Sequence, residues 1–391
     1  MTATSLPARR GAPALDPDGL AAGAMLAFIA TAGLFYVNIM SALVSGLQDG
    51  LGFSARDAGL VASLNVYGAA AGALAAVFVV ARLPWRQTAS GVLAAMVAVD
   101  LVSILIHTPL VLMAARFGHG LLGGFLVGIV FSVIARQKAP DRTFGLLLVV
   151  QFGLGGLGLL FLPGLVPQLG AKVLFLSLAA FSICAAAMLP FLGDYPRKPP
   201  IPGAPVGVVS WRLLAAALLA VFLFQGANMG VAAYAIGLGR AYGLTLRHIS
   251  DTLAVANWIG AMGSVLVVVV GLRWGRTKPI LFGIAATLVG TLAFLRSDLL
   301  VVFAAANIVT SIVWAFVIPY LLGLCSAFDP GGRAAAMAGF FSKMGLASGP
   351  ALGGLLLAET HFPRLVWRAR AGRVLAAAAA AAPARRLDQV S

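Results

Sequence analysis

Runs of about 20 apolar residues follow one another along almost the whole chain, broken only by short charged or Pro/Gly-rich stretches. A hydrocarbon layer ~30 Å thick is crossed by a helix of ~20 such residues. The pattern therefore commits the chain to an all-α polytopic membrane protein and leaves no room for a soluble domain. Spans are expected at roughly 20–46, 57–81, 88–107, 109–135, 143–166, 171–192, 212–238, 250–272, 278–295, 299–326 and 334–358. A twelfth, 361–386, is a marginal span: Arg364 and Arg368 can snorkel to the surface, but Arg370 and Arg373 lie deeper, and a central arginine costs about 2.5–3.5 kcal/mol on insertion.

Composition supports lipid as the solvent. Hydrophobic residues make up 61% and charged ones 10%, against about 25% charged in a soluble domain, and the mean hydropathy is +1.00. A net charge of +15 would suggest nucleic acid in a soluble protein, but these basic residues are spread over short inter-helix loops, so no nucleic-acid partner is expected. Their distribution reports topology instead. An N-terminus in the cytoplasm puts 16 Lys and Arg, from Arg9 to Arg386, on the cytoplasmic side, and leaves Arg56, Lys172, Arg240, Arg247, Arg296 and Arg364 outside. The expected location is the cell (inner) membrane. Cys184 and Cys325 lie in apolar runs and suit structural thiols. Arg9 and Arg10 precede a Pro- and Asp-containing stretch that does not suit a cleaved signal peptide.

The chain repeats itself. N-V-Y-G-A-A-A-G from Asn65 and N-W-I-G-A-M-G-S from Asn257 each run into a short loop with arginines and a tryptophan, at an offset of 192. The same offset carries Gln151 onto Lys343 and Gly153 onto Gly345. Such duplication divides the chain into a tail (1–19), a six-helix bundle (20–192), a linker (193–211), a second bundle (212–386) and a tail (387–391), the two bundles forming a parallel repeat.

With L-M-A-A-R-F-G-H-G-L-L-G-G from Leu112 to Gly124, basic loops at Arg82–Arg86 and Gly271–Lys278, and G-L-A-S-G-P-A-L-G-G from Gly345, the chain resembles the major facilitator superfamily. The basic loops lack the family's usual Asp, and the Gly/Pro signature that its antiporter branches carry in helix five sits here in helix eleven. The resemblance implies twelve transmembrane helices in two six-helix bundles and a cavity lined by helices one, two, five, seven, eight and ten.

An ionisable residue inside hydrocarbon is a functional candidate by default. Asp100 and Arg116 sit at similar depth on neighbouring helices, and His119 shares a face with Arg116. The three are candidates for proton coupling or for a static buried pair. Lys343 lies mid-membrane with no acid nearby on its own helix, and either contacts an anionic substrate or pairs across the bundle, with Asp100 the partner to expect. Tyr36, Asn38, Asn65, Tyr67, Gln151, Gln225, Asn228, Asn257, Trp258, Asn307 and Trp314 complete the substrate-binding candidates, with Tyr234, Thr310 and Ser311 in the wider polar set.

The expected function is secondary active transport of a small organic solute, an organic anion favoured, by a monomer using protons and no cofactor. Efflux of amphipathic compounds by an antiporter is the alternative. A membrane enzyme is disfavoured: the 12 acidic residues lie nearly all in loops, the four histidines are scattered, and neither makes a metal or acid/base cluster. No Walker motif supports ATP-driven transport.

Overall fold

The computed structural model describes residues 15–80, 82–138, 140–195, 210–328, 333–357 and 362–389. Arg9, Arg10, most of the linker with Arg197 and Lys198, and the start of the twelfth span at residue 361 lie outside them.

The helices run α1 (Leu20–Ala32), α2 (Phe35–Asn38), α3 (Met40–Leu51), α4 (Ala55–Val79), α5 (Trp85–Ser103), α6 (Pro109–Ile134), α7 (Pro140–Leu169), α8 (Lys172–Met188), α9 (Trp211–Ala232), α10 (Ala235–Ala241), α11 (Leu246–Gly260), α12 (Met262–Val270), α13 (Thr277–Ala293), α14 (Leu300–Ser326), α15 (Arg333–Leu357) and α16 (Phe362–Asp388). They make twelve passes, three of which are broken: α1–α3, α9–α10 and α11–α12. Eight of these passes are long and apolar enough to cross a membrane on length and composition alone. The first pass, expected as one helix over 20–46, is interrupted at Gly33–Leu34 and Ile39 and continues to Leu51.

The duplication is visible in the turns. Gly52 at φ +69° and Gly243 at φ +83° each end a pass in the left-handed region, where glycine carries no Cβ penalty. Two residues later Ser54 and Thr245 cap the next helix by accepting from the amides of Asp57 and His248. Both pairs are 191 residues apart, within one residue of the offset between the repeated motifs.

In the first half α4 packs along α6, α5 on α8, and the broken first pass on α7. In the second, α9 packs on α15 and α16, and α13 on α14 and α16. The halves meet where α4 lies against α15 and α7 against α11. Gly345 and Gly349 let α15 approach α9: a Cβ at Gly345 would come within 2.4 Å of the Phe222 carbonyl oxygen.

Residues 362–388 of the twelfth pass form one helix, α16, which is not among the eight passes apolar enough to cross on composition alone and so keeps the marginal character that its arginines suggest. Leu365, Val366, Ala369, Arg373, Ala376, Ala380 and Ala384 are buried at helical spacing, which lets α16 lie close against α9. Arg368 and Arg370 are on the outward face, Arg370 with its guanidinium 5.0 Å from the Trp367 ring centroid. At the C-terminal end of α16, past the buried stripe, the Asp388 carboxylate accepts from the amides of Arg276 (2.7 Å) and Thr277 (2.9 Å) at the start of α13.

Partial burial pushes the Asp388 carboxyl up, but those amide hydrogen bonds and the Arg276 charge outweigh it and hold the group below its ordinary value. A depressed carboxyl stabilises the fold above its unfolded pKa of about 4 and loses that contribution as pH falls through the lowered value. Asp388→Asn keeps an acceptor for the amides and removes the charge, and is expected to lower stability by about 0.3–1 kcal/mol at neutral pH. Denaturation in detergent should show the difference shrinking below about pH 4; a gap independent of pH would exclude a role for the charge.

Candidate functional site

Two of the broken passes put the residues beside their interruptions, Asn38 and Met40 in the first and Ala232 and Ala235 in the seventh, around one space. A cavity of about 190 Å³ lies between the halves, lined by Asn38 and Ser41 from the first pass, Gln151 and Phe152 from α7, Asn228 from α9, Asn257 from α11, Asn307, Thr310, Ser311 and Trp314 from α14, and Arg373 from α16. Apolar side chains such as Met40, Leu159, Val231 and Phe294 fill the rest of the wall. A mixed wall of this kind, mostly apolar with a few fixed polar groups, is what small-molecule sites are made of.

The polar groups are held by cross-links between the halves and by bonds within the second half. Asn257 Nδ2 donates to the Phe152 carbonyl at 2.8 Å and Trp258 Nε1 to the Gly153 carbonyl at 3.0 Å. Phe152 and Trp314 face each other edge-on at 6.3 Å, and Trp314 Nε1 donates to Gln225 Oε1 at 2.7 Å. Gln225 in turn donates to Ser342 Oγ at 2.8 Å.

At the end of the bundle away from the N-terminus the halves are sealed. Tyr234 Oη donates toward the carbonyls of Ala55 (2.9 Å) and Pro350 (2.8 Å), and Gly59 and Gly354 leave room for the phenol. Further out, Arg240 Nη1 contacts both carboxylate oxygens of Asp49, at 2.9 and 2.7 Å.

A second polar centre lies within the first half. Arg116, fully buried, donates from Nη1 to Asp100 Oδ1 at 2.7 Å, and from Nη2 to the Val99 carbonyl at 3.1 Å and to Ser103 Oγ. Asn65 Nδ2 donates to the Arg116 carbonyl at 3.0 Å and meets His119 Nδ1 at 3.1 Å. With a donor facing Nδ1, the ring is assigned its proton on Nε2, which lies 3.3 Å from Asp100 Oδ2. The trio is then neutral overall, one arginine against one carboxylate.

Six of the substrate-binding candidates line the cavity: Asn38, Gln151, Asn228, Asn257, Asn307 and Trp314. The others lie outside its wall. Tyr36 is buried beside His119, with ring centroids 6.4 Å apart, and Asn65 belongs to the Asp100 centre. Tyr67 bonds Ser348 at 2.8 Å, Gln225 supports Trp314 from behind, and Trp258 is 39% exposed. Lys343 is half-buried and makes no hydrogen bond or ion pair among the described residues. It shares a helical face with Ala347, which is buried, and with Pro350 and Gly354, which enter the seal two and three turns further along. Its expected pairing with Asp100 does not form, because Arg116 and His119 occupy that carboxylate.

Arg373 is the functional candidate that reads in the sequence only as an obstacle to insertion. Its place on the Ala369, Ala376, Ala380 stripe is the available signal: four- and three-residue steps put it on the packing face. The Asp49–Arg240 and Tyr234 contacts pair residues far apart in sequence, and no local pattern marks them.

The sequence profile of the Major Facilitator Superfamily matches residues 21–354. No curated protein matches at the sequence level. Among solved structures, a point mutant of the nucleoside transporter NupG superposes with a TM-score of 0.71 at 14% identity, covering 92% of this chain and 98% of that one. A bacterial homologue of the human lysosomal transporter Spinster, in an inward-facing and unoccupied conformation, gives 0.66 at 14% identity, covering 92% and 94%. A D-xylose–proton symporter gives 0.66 at 16%, covering 90% and 96%. These identities speak for the shared fold alone, while the profile spans most of the chain and every helix of both halves except the last. This multi-pass membrane protein belongs to the Major Facilitator Superfamily.

Proposed function

We propose that the protein is a secondary active transporter that carries a small organic solute, with organic anions favoured, across the cell (inner) membrane by alternating access. The observation carrying this reading is the cavity between the halves, closed by Tyr234 and the Asp49–Arg240 pair at one end. With the N-terminus in the cytoplasm, that seal is the external gate and this conformer receives solute from inside. The working unit is one chain, because both halves of the cavity come from it.

Protons are the proposed coupling ion. Asp100 Oδ2 and His119 Nε2 face each other in a buried site beside Tyr36, whose neighbours Val37 and Asn38 line the cavity. A proton taken up there turns a neutral trio into a cation within the first half and weakens the hold of Asp100 on Arg116. Because α5 and α6 are joined through that pair, protonation has a direct route to helix packing.

The test is uptake into proteoliposomes of labelled carboxylates, sugars and nucleosides under an imposed proton gradient. Gradient-driven accumulation that a protonophore abolishes, and that Asp100→Asn uncouples, is the expected result. Accumulation indifferent to the gradient would remove the coupling, and no movement of any solute class would remove the transporter reading.

The external gate gives a second expected result. An ion pair of this partial exposure contributes about 0.2–1 kcal/mol, so Arg240→Gln should shift the conformational equilibrium outward by up to about fivefold. Alkylation of Val231→Cys in the cavity wall by an impermeant external reagent, in a Cys184→Ser/Cys325→Ser background, should speed up accordingly. An unchanged rate would place the gate elsewhere.

A further inference from the structure

Arg373 stands eleven residues into α16, ~16 Å along the axis and close to the middle of a ~30 Å hydrocarbon layer. It is 1% exposed and lines the cavity. Its Nη2 donates to Asn228 Oδ1 at 2.9 Å, while Nε and Nη1 are buried without a partner. Among the described residues no carboxylate pairs with it, and Asp100, the acid at comparable depth, is taken by Arg116. A buried guanidinium with open donors is costly to leave unsatisfied. Ordinary packing does not require one here, since alanine occupies the neighbouring positions of the same stripe.

Asn228 holds the guanidinium in place. Its Nδ2 donates to the Phe224 carbonyl at 2.8 Å, which fixes the amide so that Oδ1 faces Arg373. Gly372 lies against Ala227, with a built Cβ at 3.2 Å from that methyl, and brings α16 close enough for the contact. An oriented, always-charged fork in a largely apolar pocket is suited to a carboxylate, which satisfies two of its donors at once. The rest of the wall, with Phe152, Phe294 and Trp314, suits an apolar or aromatic body.

We infer that Arg373, oriented by Asn228, is the anion-recognising residue of the cavity, and that the ligand class is a small organic monocarboxylate with an apolar body. The inference rests on the transporter reading above and sharpens it. It also moves the anion contact from Lys343, which lies outside the cavity wall, to the twelfth pass. The single guanidinium sets the preferred charge at minus one, because a second carboxylate has no cation beside it in the lining.

The experiment is thermal melting and calorimetric titration of the purified full chain in detergent with acetate, butyrate, benzoate and phenylacetate, each compared with its neutral amide. Benzoate or phenylacetate is expected to bind at least tenfold more tightly than its amide. Arg373→Gln, which retains a hydrogen-bonding group for Asn228, should abolish that preference, and Arg373→Lys should keep part of it. Asn228→Ala should weaken carboxylate binding several-fold and narrow the gap to the amides, while Lys343→Gln should leave the preference intact. Monodisperse elution and a cooperative melt establish that each variant is folded.

Carboxylate preference surviving Arg373→Gln would overturn the assignment, as would absence of binding by every carboxylate to the wild type. Proton-driven uptake of a neutral solute without any carboxylate binding would sink this inference and leave the transporter standing. Carboxylate binding without transport would do the reverse.

Discussion

Arg116→Leu is expected to lower folding stability by about 3–5 kcal/mol, the cost of removing one partner from a buried ion pair. The substitution strands Asp100, which is fully buried and has only His119 Nε2 left within reach. It also removes the donors to the Val99 carbonyl and Ser103 Oγ. The ring of Phe175 loses the cation 5.1 Å from its centroid, a smaller contribution.

Adding Asp100→Asn to Arg116→Leu removes the stranded charge, so the double variant should recover part of the loss. Denaturation in detergent across this double-mutant cycle should give a coupling of about 2 kcal/mol or more, within the range for residues in one network. If the single variant melts within about 0.5 kcal/mol of wild type, the pair is not structural and the coupling proposal loses its physical basis.

This pair shows how far the sequence carries. Two ionisable residues about equally far from one loop, on consecutive helices, must come to similar depth, so Asp100 and Arg116 are legible as neighbours in the sequence. The offset of 192 is legible for the same reason, because duplicated helices keep their order. What local pattern does not record is rotation about each helix axis. Lys343 and Arg373 are both mid-membrane cations, yet a different rotation puts Arg373 in the cavity wall and leaves Lys343 out of it. Tyr234 likewise reads as a polar candidate in the sequence, but its partners Ala55 and Pro350 offer backbone carbonyls, which carry no sequence signature.

The twelfth pass is the harder case. Hydropathy penalises every arginine in 361–386 equally, whereas the helix presents Arg368 and Arg370 outward and buries Arg373. Charge in a membrane segment is better read together with the spacing of small residues around it. Here the alanine stripe both enables close packing and carries the cation into the cavity.

Glycine spacing makes the second large expected effect calculable. Where α4 crosses α6, Gly68, Gly72, Gly120 and Gly124 interleave, and a Cβ on them would lie 2.1, 1.9, 1.8 and 2.0 Å from the carbonyl oxygens of Phe117, Leu121, Asn65 and Ala69. These obstacles are backbone atoms, so no side-chain rotation relieves them and the helices must separate. Overpacking ordinarily costs about 1–3 kcal/mol, and Gly120→Ala is expected at or above the top of that range. Its clash is with Asn65, whose amide also bonds the Arg116 carbonyl and His119 Nδ1. The displacement should therefore impair proton-driven uptake in whatever fraction still folds. Gly118→Ala, two residues away with nothing within 4 Å of the added carbon, should instead be neutral or gain up to about 1 kcal/mol from helix propensity. Melting curves of the two variants in the same detergent decide the matter: equal midpoints would mean that α4 and α6 do not pack through their glycines, and the placement of Asn65 against His119 would fall with that crossing.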